Sequence, residues 1–316
     1  MKHSILLILT GLLCMNLLNS QNEVLFSKVE TKEINGQFVY LLNGEKLDGI
    51  IYHNHPNKEL KVKFHVKNGI KEGLSEEYYE NGQLKIETTF KNGEQSGLYQ
   101  SYFENGQLHS RYTWKNISPD GISEEYYDNG NLHFKFTWAD GSPQGTIKSY
   151  HKNGQLKDII SYQDGKREGL FEQYYENGQL LEKFTYKEGK MNGPYIEYYE
   201  NGQLRSETTY KNDKIDGLSV IYHENGSLKI KGNFIDGMKN GAFKIYFDNG
   251  ILSWHMFFEK DKLHGLSKKY YENGQLMKKG NFINNLRNGP FENYDAKGKL
   301  LKKEIYKNDL KIKELK

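Results

Sequence analysis

The sequence predicts an all-β protein: an elongated, single-layer antiparallel β-meander solenoid of about eleven 24-residue β-hairpin repeats, twisted or coiled along its length. Two columns and one alternation predict it. Asn-Gly recurs every 24 residues, from Asn81-Gly82 and Asn105 through Asn129, Asn153, Asn177, Asn201, Asn225 and Asn249 to Asn273. A second glycine column keeps the same step from Gly49 and Gly73 to Gly289. In the divergent first unit, Leu60, Val62, Phe64 and Val66 alternate with Lys61, Lys63, His65 and Lys67, the period of a strand with one apolar face.

Within one unit, Asn81-Gly82 between two β-rich runs predicts a type I′ turn, with positive φ at both central residues. Folding about it pairs Glu80 with Gln83, Tyr79 with Leu84, Tyr78 with Lys85, and Gly73 with Phe90. Strand alternation then puts Tyr79, Leu84, Ile86 and Phe90 on one face, and Leu74, Tyr78, Lys85 and Glu87 on the other. The Phe90 position is aromatic in every later unit, from Trp114 and Trp138 to Tyr306, so each ring covers a bare cross-strand glycine. Second turns such as Lys91-Asn92-Gly93 and Gln163-Asp164-Gly165 join the hairpins. About twenty-two strands at ~4.8 Å each extend roughly 100 Å. Lys302, Lys303, Lys307, Lys311, Lys313 and Lys316 fit an edge protected by charge.

Composition narrows the function classes. Of 316 residues 36% are hydrophobic, yet 14% are aromatic, with 24 Tyr. A disordered chain would be poor in aromatics, and a large aliphatic core would need more Leu, Ile and Val. Lys and Arg number 44 against 41 acids, a net +3, which excludes a nucleic-acid binder working by bulk charge. Residues 1–20 read as a secretory signal peptide: Met1-Lys2-His3-Ser4, an apolar run Ile5 to Leu18, then a polar stretch, with cleavage expected near Ser20. The run is too short to span a bilayer, and an uncleaved anchor is the alternative. Residues 21–48 form a lead-in strand region, and 49–316 carry the repeats. The mature chain is therefore expected outside the cytoplasm: in a periplasm, at the cell surface or secreted. Cys14 is the lone cysteine and lies in the leader after Leu13, which argues against lipidation. The mature chain then has no thiol for a disulfide, a metal site or a nucleophile.

No nucleotide, hydrolase, zinc or calcium motif occurs, so no enzyme activity, cofactor or metal is expected. The acids before the turns (Glu80, Glu104, Asp128, Glu176) recur like solvated strand ends, whereas catalysis needs one singular site. His53, His55 and His65 lie close in sequence, but His65 is on the polar face and the trio is read as no metal site. His151 and His223 replace Tyr in the Tyr79 column. The unit departs from itself on the apolar face at Tyr112 and Trp114, at Phe134, Phe136 and Trp138, and at Trp254 and Met256 beside Phe258. Rings stand there where other units carry Ser, Thr, Glu or Gly. They either pack along the ladder or form a partner-binding surface, and these seven are the candidate site residues. The irregular turn Asn116–Asp120 flanks the first group.

The unit Gly-Leu-…-Tyr78-Tyr79-Glu80-Asn81-Gly82-Gln83-Leu84-Lys85-…-Phe90-Lys91-Asn92-Gly93 resembles the bacterial variant of the MORN repeat. Proteins built from it are commonly labelled YwqK-like antitoxins. The resemblance implies an elongated hairpin array used for protein contacts and, for its named member, neutralisation of a partner toxin. Eukaryotic relatives are linked to membrane-associated scaffolding. The leader sets this chain apart from a cytosolic antitoxin. The expected function is an exported, non-enzymatic scaffold that binds another protein through the face or edge of the array. A YwqK-like antitoxin or immunity protein is the alternative. Contact with lipid or glycan ranks behind a protein partner, since no basic stripe marks the surface.

Overall fold

A computed structural model describes residues 23–115 and 118–315. Residues 1–22, on which the expected signal peptide and Cys14 fall, lie outside the described residues, as do Asn116, Ile117 and Lys316. The described chain is all-β apart from one 3-10 turn at Phe26–Lys28, and it divides into two compact units, Met1–Pro143 and Gln144–Lys316.

In the first unit, Glu23–Leu25 runs parallel to Gly49–Asn54, and a three-stranded sheet of Glu30–Ile34, Gln37–Leu42 and Glu45–Lys46 follows. That small sheet covers the most aliphatic part of the chain. Tyr40 and Leu47 bury Ile51, Phe64 and Val66, and the Tyr40 and Phe64 rings stand 5.2 Å apart. Antiparallel strands Leu60–Lys67, Ile70–Tyr78, Leu84–Lys91, Glu94–Tyr102, Leu108–Lys115, Ser118–Tyr126 and Leu132–Ala139 then follow in chain order. In the second unit the same hairpins continue to Leu300–Lys307 and Leu310–Leu315, each paired with its predecessor.

The register shows Gly73 opposite Phe90, and the equivalent glycine–ring pair recurs up to Gly289 opposite Tyr306. The backbone explains the glycines: from Gly73 to Gly289 the column has φ between 72° and 121°, where a side chain is strained. Each glycine marks a register shift to the preceding strand, as between Thr88 and Phe90.

Asn81-Gly82 does not form the expected type I′ turn. Only Gly82 is left-handed, at φ 81°. The Gly82 N–H donates to Tyr79 O at 3.0 Å and the Tyr79 N–H to Gln83 O at 2.8 Å, a three-residue loop made of a type I turn followed by a left-handed glycine. The strand register accordingly ends with Tyr78 opposite Leu84, not Lys85, and Tyr79 pairs with no strand residue. Lys85 is the bulged residue. It turns toward Glu77, its Nζ 2.7 Å from Glu77 Oε1, rather than joining Tyr78 and Glu87 on the other face. The type I′ geometry belongs to the second turn, where Asn92 and Gly93 have φ of 51° and 85°.

The loop geometry has a purpose that spans units. Asn81 Oδ1 accepts from the Gln83 N–H at 3.0 Å, and its Nδ2 donates to Glu104 O in the next unit at 3.2 Å. Asn57, Asn105, Asn153, Asn177, Asn225 and Asn273 repeat the second bond. Tyr79, Tyr175, Tyr199 and Tyr271 donate their hydroxyls to the backbone carbonyl 23 residues on, at 2.8 to 2.9 Å. His55, His151 and His223 do the same through Nε2. The acids before the turns serve through their main-chain carbonyls. We expect Tyr199→Phe, which leaves Tyr222 O without its donor, to cost about 0.5–1.5 kcal/mol in urea unfolding.

Candidate functional site

The face carrying Phe64, Ser75, Thr88, Tyr99 and Ser101 is set by alternation, and reading this column across strands shows where its rings go. At two places in the second unit a large residue fills the space over a small one. Phe243 sits over Gly232, and Phe291 over Gly280, each so close that a Cβ on the glycine would fall 2.2–2.3 Å from the ring. At Leu108–Lys115, Ser118–Tyr126 and Leu132–Ala139 the pattern is inverted. The middle strand presents Pro119, Gly121 and Ser123, while both flanking strands present rings.

The result is a groove of about 300 Å³. Tyr112 and Trp114 form one wall, Phe134, Phe136 and Trp138 the other, and Pro119 and Ser123 lie between. Successive rings along each wall touch: Tyr112–Trp114 at 5.7 Å, Phe134–Phe136 at 5.6 Å and Phe136–Trp138 at 5.0 Å between centroids. Tyr99 stacks on the back of Tyr112 at 4.4 Å. All five wall residues are half-buried. Burial holds the Tyr112 hydroxyl up to about 12.

The polar groups around the groove are nearly all committed within the chain. Trp138 Nε1 donates to Ser123 Oγ at 3.0 Å, Ser110 Oγ bonds Ser101 Oγ at 2.6 Å, and His133 Nδ1 lies 3.1 Å from Glu125 Oε1. Glu124 is held by Lys135 at 2.8 Å and Arg111 at 2.5 Å, and accepts from the Tyr126 hydroxyl at 3.1 Å. Lys135, then Arg111 and Tyr126, bring its carboxyl down to about 2 against the opposing effect of burial. A carboxyl lowered by folding adds stability above its ordinary value of 4.5, and that stability is lost as pH falls toward 2. Glu124→Gln should therefore lower stability at pH 7 and flatten its decline across that window in acid-unfolding curves. Trp114 is the exception: its Nε1 is buried and has no acceptor among the described residues.

Five of the seven sequence-predicted residues thus line one groove. Trp254 and Met256 belong to the second unit and are packed in its ladder: Met256 is buried opposite Phe243, and Trp254 Nε1 donates to Ser267 Oγ at 2.9 Å. Sequence reasoning missed Pro119 and Ser123, although the order large–small–large in the inward column (Tyr112, Ser123, Phe136) is legible once the register is known. Among the described residues no group of His, Cys, Asp or Glu is arranged to hold a metal ion. No helix among them is long and apolar enough to cross a membrane.

With this geometry in hand, comparison with known proteins assigns the class. The MORN repeat variant matches residues 71–92, 95–116, 119–140, 143–164, 167–188, 191–212, 215–236, 263–284 and 287–308, more than half of the chain. The protein belongs to the MORN repeat variant family. Such repeats generally act as protein- or membrane-binding scaffolds and are a non-enzymatic repeat type. The stretch 237–262, which holds Trp254 and Met256, lies outside the matched segments. No curated protein matches the chain. Among solved structures it aligns with alternansucrase in complex with isomaltononaose (17% identity, 86% of this chain and 18% of that one, TM-score 0.19). It also aligns with a TcdB2-TccC3-Cdc42 structure (10% identity, 88% of this chain and 19% of that one, TM-score 0.16). The chain spans under a fifth of the length of each, and likenesses so weak carry no argument about fold or function.

Proposed function

We propose that this protein is an exported, non-enzymatic scaffold that binds another protein through the aromatic groove of its first unit. The observation that carries the reading is the groove itself: five half-buried rings around a floor of Pro119 and Ser123, where Phe243 and Phe291 elsewhere fill the space over a facing glycine. Clustered aromatic side chains in a concave site are where binding energy concentrates in protein interfaces. Export rests on the N-terminal basic, apolar and polar order of residues 1–20. A bacterial, YwqK-like antitoxin role is the special case in which the partner is a toxin.

The test is affinity capture from the envelope and secreted fractions of the source cells, comparing the wild-type chain with Trp138→Ala. One protein recovered at stoichiometric amounts by wild type and lost with the variant, with far-UV spectra unchanged, is the expected result. A partner retained equally by both would remove the groove from the reading, and a toxic partner would establish the antitoxin case. Recovery of only lipid or polysaccharide would replace the scaffold by an envelope role.

A further inference from the structure

The groove also specifies what kind of chain fits it, and this deepening rests on the protein-binding reading above. Its walls are mostly apolar rings, and the polar side chains at its floor and edge already make bonds within the chain: Ser123 with Trp138, Ser110 with Ser101 and Glu125 with His133. The buried donor beside it without an acceptor among the described residues is the Trp114 indole N–H. An unmet buried donor is a standing cost of about 1–3 kcal/mol, which an acceptor brought by a ligand removes once the indole turns toward it. An ordinary extended peptide would bury most of its own N–H groups against ring faces, which are poor acceptors. A sugar would bring several hydroxyls with the same difficulty.

Proline solves both problems at once. It has no backbone N–H, its ring is apolar, and its preceding carbonyl is a free acceptor in a segment already fixed as a polyproline II helix. Grooves walled by aromatic rings are a recurring way of holding such segments. The geometry points to a proline-rich segment in polyproline II conformation as the groove's occupant, its pyrrolidine rings between the Tyr112–Trp114 and Phe134–Trp138 walls and one carbonyl accepting from Trp114 Nε1.

The experiment is titration of the full chain with an acetylated, amidated decaproline, read by tryptophan fluorescence and by calorimetry. A glycine–serine decamer and maltoheptaose are titrated in parallel. Saturable binding of decaproline alone is expected. Trp114→Phe keeps the ring and removes the donor, and should weaken binding about 2- to 12-fold, the worth of one hydrogen bond. Trp138→Ala should weaken it more than about tenfold. Circular dichroism and urea midpoints of both variants separate a lost site from a lost fold, and Phe136→Leu serves as a milder wall variant should Trp138→Ala unfold. Absence of decaproline binding, equal binding by wild type and both tryptophan variants, equal affinity for the glycine–serine peptide, or maltoheptaose taking the groove instead would each overturn the proposal. If decaproline fails while the capture experiment still yields a protein dependent on Trp138, the scaffold reading stands and only the proline assignment falls.

Discussion

Phe291→Ala is expected to cost about 3–5 kcal/mol, the largest loss from any single substitution in the second unit. Phe291 is 2% exposed, and its ring meets Phe282 and Tyr306 edge-on, both at 5.3 Å. Opposite it stands Gly280, which has no side chain to move into the vacated space. The cavity cannot be refilled from that side, so the cost falls in the upper part of the range for aromatic truncation. Urea unfolding followed by tyrosine and tryptophan fluorescence reads it. A loss under about 1 kcal/mol would mean that the ring contributes little to this single-layer face.

The complementary substitution, Gly280→Ala, should destabilise by about 1–3 kcal/mol for the opposite reason. Its Cβ would lie 2.2 Å from Phe291 Cε1, closer than any real contact, and the obstacle is a rigid ring rather than a flexible tail. Gly280 does not need a left-handed backbone, unlike Gly289, so the effect isolates packing from conformation. The double variant Gly280→Ala/Phe291→Leu should then lose less than the two single changes added together, because the smaller side chain makes room for the methyl. Strict additivity would contradict this pairing.

These two positions also show what the sequence makes legible. The 24-residue period, the alternation at Leu60–Val66 and the glycine–ring columns are written in side-chain type, and the register of Gly73 with Phe90 follows from them. The turn did not follow. Asn-Gly occurs at both ends of the strand pair, yet only Asn92-Gly93 is type I′, because Asn81 commits its side chain to Gln83 and to Glu104 of the next unit. The acceptors of that ladder are backbone carbonyls, which no residue pattern reports. The placement of Lys85 on the face of Tyr78 and Glu87 failed with the turn, since Lys85 becomes the bulged residue and turns to Glu77.

The candidate site was legible in half. Tyr112, Trp114, Phe134, Phe136 and Trp138 announce themselves as rings where the repeat carries smaller residues. The strand between them is what leaves a groove: Pro119 and Ser123 are small, so the two walls stand apart while the rings of each wall pack on one another. Trp254 and Met256 look the same in sequence, but Met256 is buried against Phe243.

The most direct test of the central claim is site-specific photocrosslinking in the source cells, with benzoylphenylalanine placed at Phe134 in the groove wall and, separately, at Leu170, an exposed position in the second unit. A single protein crosslinked from position 134 and absent from position 170 is the result predicted here. No protein adduct from 134, or the same adducts from both positions, would contradict a protein-binding groove between Trp114 and Trp138.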